Sequence, residues 1–164
     1  MESDMIIVIT GVTGSGKTTI GKLLATRLQW KFYEGDDFHP PVNIEKLKRG
    51  TPLDDQDRLP WLTAIRGTIR AAIDRGENAV IACSALKESY RRMLRIGPEV
   101  VLIHLEAKPE LIEERLTQRT GHFMNPALVR SQFDTLEEPW SALEIDAGLT
   151  PGEIVNTIRD RLSL

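Results

Sequence analysis

The chain has 164 residues and a net charge of −3, with 41% hydrophobic and 27% charged residues, which predicts one globular domain over residues 1–164. This small negative charge provides no basic field that would attract nucleic acid or an anionic membrane, so we expect neither as a partner. The single cysteine excludes an internal disulfide framework, and no apolar run approaches the roughly 20 residues of a membrane span. Together with an acidic start that lacks the basic flank of a signal peptide, these features favour a soluble cytoplasmic protein.

Short β-branched runs alternate with longer stretches of helical period, and this alternation predicts βαβ units with a mainly parallel sheet. The predicted strands cover residues 5–10, 31–33, 79–83, 100–105 and 143–146. The first of them is apolar throughout, as expected for a central strand that is buried on both faces. The fold class is therefore predicted as α/β.

Helices are predicted where apolar residues recur at i, i+3 and i+4. They cover residues 20–28, 42–49, 54–76, 87–95, 109–119 and 126–136, with a last helix from residue 150. Pro60 is expected in the first turn of the long third helix, and Thr150 to Glu153 form a capping box with proline at the first helical position. Residues 120–126 contain Gly, Asn and Pro and predict a mobile loop.

Residues 11–18 read Gly-Val-Thr-Gly-Ser-Gly-Lys-Thr and match the phosphate-binding pattern G-x-x-x-x-G-K-[ST] at every fixed position. Glycines let backbone N–H groups approach a triphosphate, because no Cβ intrudes, and the following helix offers its positive end. Lys17 is predicted to bridge the β- and γ-phosphates of ATP, and the Thr18 hydroxyl to bind Mg²⁺. The nucleotide-binding residues are predicted as Gly11, Thr13, Gly14, Ser15, Gly16, Lys17, Thr18 and Thr19.

A P-loop alone does not distinguish a kinase from a GTPase or a motor ATPase. The sequence contains no Asn-Lys-x-Asp element for guanine, and the strand at residues 79–83 ends in no acid of the Walker-B kind. Both observations favour a kinase for a small acceptor molecule. In such an enzyme the acceptor, and not water, receives the phosphoryl group.

Candidate acceptor-side residues lie at the ends of predicted elements. Asp36 and Asp37 follow the second strand, at the sheet edge where α/β proteins bind ligands. A carboxylate there is expected to orient or deprotonate an acceptor hydroxyl. The alternative is that the two residues form an acidic turn that caps the next helix. Arg58 at a helix start and Arg119 beside the predicted loop suit carboxylate and phosphate oxygens. We expect loop closure to bring Arg119 onto the transferring phosphoryl group and to exclude water.

Further strings extend over nearly the whole chain beyond the P-loop. They are Gly35-Asp36 with His39-Pro40 and Asn43, then Pro52-Leu53-x-Asp55-x-Asp57-Arg58-x-Pro60-Trp61, Cys83-Ser84-Ala85-Leu86-Lys87 with Tyr90-Arg91, Arg115-Leu116, Arg119-x-Gly121-His122-Phe123 and Gln132-Phe133-x-Thr135-Leu136-Glu137-x-Pro139. With these strings in this order, the sequence resembles the gluconate kinase family, which is related to shikimate kinase and the nucleoside monophosphate kinases.

The resemblance implies a P-loop kinase three-layer sandwich with a five-stranded parallel sheet in the order 2-3-1-4-5 and a lid at about residues 117–132. It implies ATP and Mg²⁺ as cofactors, gluconate or a close sugar acid as the acceptor, and a homodimer. As catalytic residues it implies Lys17, Asp36 and Arg119, with Asp36 acting on the acceptor's terminal hydroxyl.

The resemblance also implies the remaining contacts. Arg58, Lys87 and Arg91 would hold the carboxylate and hydroxyls of the sugar acid, with His39 and His122 also on the substrate. Arg115 and Arg119 would contact the nucleotide and the transferring phosphate. Family members usually carry Asp where this chain has Glu34, whose longer side chain would reach Mg²⁺ through water.

Two other acceptors stay open beside gluconate. Shikimate is disfavoured because the third strand leads into Cys-Ser-Ala-Leu-Lys and not into the glycine run of shikimate kinases, while a nucleoside monophosphate would also need arginines. A nucleotide-dependent switch or a nucleic-acid-binding ATPase is disfavoured by the missing motifs and the negative charge.

Some residue types that often carry function are interpreted differently here. The three histidines show no metal-ligand spacing. Packing residues are predicted to be Cys83, His104 and the tryptophans Trp30, Trp61 and Trp140, with Trp61 also a candidate for the acceptor pocket.

Overall fold

The computed structural model describes residues 4–118 and 126–164. Its strands are β1 (Ile6–Thr10), β2 (Lys31–Glu34), β3 (Ala79–Ala82), β4 (Val100–Glu106) and β5 (Leu143–Asp146). All neighbouring strands pair in parallel, in the order β2-β3-β1-β4-β5. The predicted α/β class and strand order are confirmed.

The helices of the described residues lie close to the predicted segments. They are α1 (Lys17–Leu28), α2 (Pro41–Lys48), α3 (Asp55–Asp74), α4 (Glu88–Leu94), α5 (Pro109–Gln118), α6 (Pro126–Thr135) and α7 (Pro151–Leu162). A short 3-10 helix, Gly35–Phe38, follows β2, where the sequence analysis expects only a polar turn. Residue 119, the predicted end of α5, and residues 120–125 of the predicted loop lie outside the described residues.

The central strand β1 divides the core into two halves, because all five of its residues are buried and successive side chains point to opposite faces. On one face Ile6 and Val8 pack in a cluster with Trp61, Ile65 and Ile69 of α3 and with Leu94 of α4. On the other face Ile7 and Ile9 pack with Leu24 of α1 and with Ile154 and Ile158 of α7. Complete burial of each such side chain stabilises the fold by about 1.5–3 kcal/mol, which explains the sandwich of helices on both sides of the sheet.

Side-chain caps set where two helices begin. The Asp54 carboxylate accepts from the Asp57 N–H at 2.7 Å, and the Asp57 carboxylate accepts from the Asp54 N–H at 3.0 Å, so α3 begins at Asp55. Pro60 consequently lies inside α3, beyond its first turn, and the expectation for Pro60 is corrected. At α7 the predicted capping box between Thr150 and Glu153 is present.

The tryptophans occupy unlike environments. Trp61 is 1% exposed, and Trp30 packs partly buried against the α1 and α7 side of the core. Trp140 is 82% exposed, so the prediction that it packs in the interior is wrong. It lies after α6, where the apolar stripe of that helix has ended.

Burial raises the pKa of the Cys83 thiol to about 12, which makes that side chain an inert packing residue.

Candidate active site

The glycine-rich turn joins β1 to α1 at the carboxyl edge of the sheet. A Cβ atom on Gly11, whose φ is 149°, would lie 2.6 Å from Ser15 Oγ, so this position accepts only glycine. Gly16, with a φ of 103°, precedes the first turn of α1, whose first N–H groups have no acceptor within the helix. The turn and the helix end therefore form a site suited to a phosphate chain.

Thr18 and Glu34 are joined across the gap between α1 and β2. The Thr18 hydroxyl donates to the Glu34 carboxylate, which leaves the lone pairs of the hydroxyl oxygen available to a cation. Such a hard oxygen ligand fits Mg²⁺, which typically takes one or two protein groups together with substrate phosphates and water. The residues thus fit the predicted metal, with Thr18 as a ligand and Glu34 as the group that orients it.

Asp36 is held in place by the close approach of two strand ends. A Cβ atom on the preceding Gly35 would lie 2.2 Å from the Ala82 carbonyl oxygen, so only glycine permits this contact. The Gly35 carbonyl accepts from Trp61 Nε1 at 2.8 Å, and the Asp36 N–H donates to the Glu34 carboxylate at 3.3 Å. These contacts fix the 3-10 helix that carries Asp36.

A cavity of about 350 Å³ connects the P-loop to these residues. Lys17 comes from the start of α1, Asp36 and His39 from the segment after β2, Arg58 from α3, and Gln132 from α6. The cavity therefore brings a cation of the phosphate site, a carboxylate and an arginine into one enclosure. This combination suits the transfer of a phosphoryl group to an anionic acceptor.

Arg58 is oriented by Tyr90, a residue of α4. Its Nη1 donates to the Tyr90 hydroxyl at 3.1 Å, and its guanidinium carbon lies 5.5 Å from the centroid of the ring. The Tyr90 hydroxyl donates in turn to Asp55, and this hydrogen bond is the main cause of a lowered pKa at the Asp55 carboxyl. Arg58 is therefore fixed at the cavity through a chain of hydrogen bonds.

Lys87 belongs to the same chain of hydrogen bonds. Its Nζ donates to Asp55 at 2.9 Å, and this bond raises the pKa of Lys87. The described residues that line the cavity include Arg58 but not Lys87. The geometry thus gives Lys87 a place beside Arg58, in an ion pair with Asp55.

His39 stacks on Trp61, with ring centroids 4.3 Å apart and an interplanar angle of 12°. Burial, together with the neighbouring charge of Arg58, lowers the pKa of His39 to about 4, so the ring is neutral at pH 7. Its Nδ1 lies 3.2 Å from Asn43 Nδ2, which can only donate, so Nδ1 accepts and Nε2 carries the proton. His39 thus offers the cavity a neutral donor.

Arg91, predicted as a substrate contact, lies elsewhere. It is 1% exposed, and its guanidinium donates to the carbonyls of Ala85, Leu86, Glu137 and Glu138 at 2.8 to 3.0 Å. Among these residues Ala85 has a φ of 39°, in the left-handed region that a non-glycine residue seldom adopts. The geometry corrects the expectation for Arg91, because its donors are used to hold the loop after β3.

Arg115 lines a second cavity, of about 230 Å³, with Gly16 and Thr19 on one side and Ala147 and Leu149 on the other. Its guanidinium donates to the carbonyls of Gly14 and Ser15 at 3.1 and 3.0 Å and also to that of Ala147. Arg115 therefore links the P-loop to the loop after β5. A contact of Arg115 with the nucleotide stays a prediction.

Comparison with known proteins places the chain among small-molecule kinases. The family model "Shikimate kinase" matches residues 13–144. A gluconokinase from Gluconobacter oxydans is 47% identical over 135 residues, which cover 81% of this chain and 75% of that protein. The chain belongs to the gluconokinase family.

Two solved structures agree with this family. A gluconokinase from Sinorhizobium meliloti is 35% identical, with a TM-score of 0.85 over 99% of this chain and 98% of its own. An unliganded sugar kinase from a Janibacter species is 40% identical, with a TM-score of 0.91 over 98% and 95% of the two chains. The P-loop kinase fold is thus shared over the whole described part of the chain.

Two residues implied by the gluconokinase resemblance, Arg119 and His122, lie outside the described residues. Of the predicted lid at residues 117–132, positions 126–132 belong to α6. No helix within residues 4–118 and 126–164 is long and apolar enough to cross a membrane.

Several residues that line the 350 Å³ cavity have no role predicted from the sequence, among them Ser84, Leu128, Ser131 and Gln132. The last three lie on one side of α6, at a spacing of three and four residues. That spacing is visible in the sequence, but only the folded chain shows that this side of α6 faces the P-loop.

Proposed function

We propose that the protein transfers the γ-phosphoryl group of ATP to the terminal hydroxyl of gluconate. The observation that carries this proposal is the shared cavity, which places Lys17, Asp36 and Arg58 around one volume of about 350 Å³. Gluconate has a carboxylate at one end and a primary hydroxyl at the other. A guanidinium recognises the first and a carboxylate activates the second.

The nucleotide lies along the P-loop, with its phosphates on the N–H groups of the turn and of α1. Lys17 neutralises charge on the β- and γ-phosphates, and Mg²⁺ held at Thr18 would supply further charge neutralisation. The cavity near Arg115 and Thr19 then receives the base and ribose. Arg119 and His122 remain predictions for the phosphoryl group and the acceptor.

The transfer step has a simple balance. The acceptor oxygen forms a bond to the γ-phosphorus, the bond from that phosphorus to the β–γ bridging oxygen breaks, and ADP leaves. The hydroxyl proton passes to the Asp36 carboxylate. Because Arg58 and the neutral His39 bind the acceptor without taking its proton, Asp36 is the base of the reaction.

The test is ADP release with MgATP against gluconate, related sugar acids, shikimate and nucleoside monophosphates. We expect gluconate to stimulate turnover strongly, and chelation of Mg²⁺ to abolish it. Stimulation by shikimate or a nucleoside monophosphate, without gluconate, would keep the kinase and discard the sugar acid. If ATP binds but no acceptor stimulates turnover, the proposal fails.

The cellular compartment and the oligomeric state of the protein are also proposals. An ATP-dependent enzyme with one inert, buried cysteine is suited to a reducing, ATP-rich compartment, which favours the cytoplasm. The homodimer implied by the family resemblance stays a prediction. Light scattering during size-exclusion chromatography tests it directly.

A further inference from the structure

Helix α6 lies against the P-loop through an apolar stripe. Val129 of α6 belongs to a buried cluster with Val12, Leu86 and Ile112, and Phe133 and Leu136 pack against the same cluster. Positions 129, 133 and 136 recur at the spacing of one helix face. The neighbouring side of α6, which carries Leu128, Ser131 and Gln132, therefore faces the cavity.

Gln132 contacts the phosphate cradle directly. Its Oε1 accepts from the Thr13 N–H at 2.7 Å, in the middle of the turn that receives the phosphates. A backbone N–H can only donate, so the contacting atom is the carboxamide oxygen and the NH₂ group lies on the other arm of the carboxamide. Within residues 4–118 and 126–164, no group accepts a hydrogen bond from that NH₂.

The position of this NH₂ group suits the point of transfer. Gln132 lines the same cavity as Thr13 and Lys17 on the phosphate side and Asp36 on the acceptor side. The γ-phosphoryl group must pass between these two sides. An amide donor there binds an oxygen that gains negative charge, without adding a charge of its own.

We propose that Gln132 is a further catalytic residue, whose carboxamide is oriented by the Thr13 N–H and whose NH₂ group donates to the oxygens of the transferring phosphoryl group. The inference rests on the proposed phosphoryl transfer and adds to it a contact from α6. Gln132 thereby also makes transfer depend on the docking of α6, the helix that follows the predicted lid loop.

The test compares Gln132→Glu with Gln132→Ala. Glutamate keeps an oxygen that accepts from the Thr13 N–H but lacks the NH₂ donor, whereas alanine loses both groups. Loss of a donor that acts only in the transition state lowers kcat with little change in KM. We expect both variants to lower kcat by about 100-fold, the typical effect of one such donor. The dissociation constant of ATP should be nearly unchanged in Gln132→Ala and raised in Gln132→Glu, whose carboxylate adds a negative charge beside the phosphates.

The matched control is Asp134→Ala, an exposed position two residues further along α6, which should keep the unsubstituted kcat. Thermal unfolding of all three variants checks that they fold. If Gln132→Glu has the kcat of the unsubstituted protein while Gln132→Ala does not, the residue only fastens α6 to the P-loop and the inference is wrong.

Other outcomes are equally decisive. Full kcat in both Gln132 variants, or an equal loss in Asp134→Ala, would overturn the inference and leave the kinase proposal intact. A failure of the proposed function appears differently, as an unsubstituted protein that no acceptor in the panel stimulates, and it would remove the basis of this inference as well.

Discussion

Asp36 and Asp37 are adjacent exposed carboxylates, but only Asp36 is among the described residues that line the cavity. The 3-10 helix that carries them is fixed by Gly35 and Trp61, so the two side chains keep different directions. In the proposed mechanism, this difference separates the base, Asp36, from a neighbour of the same charge.

Asp36→Asn should lower kcat with gluconate by about 100-fold or more, because the amide cannot accept the hydroxyl proton; general bases contribute on the order of 10²–10⁴. The dissociation constant of ATP should change little, since the phosphates lie on the P-loop. Steady-state kinetics and nucleotide titration measure the two quantities. Asp37→Asn is the control and should keep its kcat; similar losses in both variants would contradict the assignment of Asp36.

Tyr90→Phe removes the hydroxyl that joins Arg58 to Asp55 but keeps the ring beneath the guanidinium. We expect KM for gluconate to rise about 5- to 10-fold, the effect of one hydrogen bond of about 1 kcal/mol, with kcat nearly unchanged. The control is Tyr33→Phe, since the Tyr33 hydroxyl also donates to a carboxylate, that of Glu77, at 2.8 Å. An equal rise of KM in both variants would show that the effect does not pass through Arg58.

The residue types of the site could be predicted from the sequence more readily than their partners. The P-loop pattern identifies Lys17 and Thr18 because the chemistry demands them in consecutive positions. Arg91 and Arg58 both appeared as candidate ligands, yet one faces carbonyl groups and the other the cavity. Helical periodicity alone does not separate them, since the carbonyls that bind Arg91 include those of Glu137 and Glu138, more than 40 positions further on.

At the scale of elements, α4 holds the loop after β3 through Arg91. The buried guanidinium donates hydrogen bonds to four carbonyls and to the Glu88 carboxylate, which lies 3.4 Å from Nη1. The loop includes Ala85 in its left-handed conformation, which costs on the order of 1–3 kcal/mol. Arg91 therefore stabilises the strained loop whose Ser84 and Leu86 line the cavity.

Arg91→Ala should lower the free energy of unfolding by about 3 kcal/mol or more, because buried carbonyls and a carboxylate lose their donor. Arg91→Lys should recover little of this loss, since an ammonium cannot span the fork of donors. Denaturant titration measures both. The adjacent Arg92 is exposed, and Arg92→Ala should stay within about 0.5 kcal/mol; a similar small effect of Arg91→Ala would refute the role in the loop.

The elements themselves follow from local chemistry, and their mutual contacts do not. The apolar run of β1 and the capping box of α7 are complete in a few consecutive residues, so their positions could be predicted. The start of α3 was placed close to its position, but the reciprocal Asp54 and Asp57 cap fixes it and moves Pro60 beyond the first turn. The bond between Thr13 and Gln132 spans 119 residues, and no local pattern contains it.

Across the whole molecule, two histidines, the buried His104 and the partly buried His39, make stability depend on pH. Burial is the main cause that lowers the pKa of both His39 and His104 from 6.5 to about 4. Above pH 6.5 these rings are neutral in the folded and the unfolded chain. As the pH falls below 6.5, the unfolded chain binds protons that the folded chain does not, so the folded state loses stability until about pH 4.

We therefore expect the free energy of unfolding to fall as the pH is lowered from 7 to 4.5. His104→Asn should reduce this fall, because asparagine cannot take up the proton but can still donate to Thr10 Oγ1, which lies 3.1 Å from His104 Nδ1. Urea titrations at several pH values measure the difference. A fall of unchanged size in His104→Asn would assign the pH dependence to other groups.

The overall architecture was predictable in class but not in arrangement. Alternating strands and helices indicate a parallel sheet, yet they do not give its order, which only the family resemblance implies. The two-sided core fits a central place for β1, because all five of its residues are buried, but burial of the two faces does not decide which strands pair with its edges. Trp140 shows the limit of the composition argument, since a large apolar side chain is placed on the surface.

Trp61 has a consequence for observing the enzyme at work. Its indole is buried, stacked on His39 and hydrogen-bonded to Gly35, and it borders the cavity. The emission of an indole depends on the polarity and the rings around it, so filling the cavity changes the fluorescence of Trp61. Trp140 contributes a solvent-exposed signal that substitution by phenylalanine removes, while Trp30 packs against the α1 and α7 side of the core and is not among the residues that line the cavity. If the acceptor binds in this cavity as proposed, Trp61 is an optical reporter of acceptor binding that does not depend on turnover.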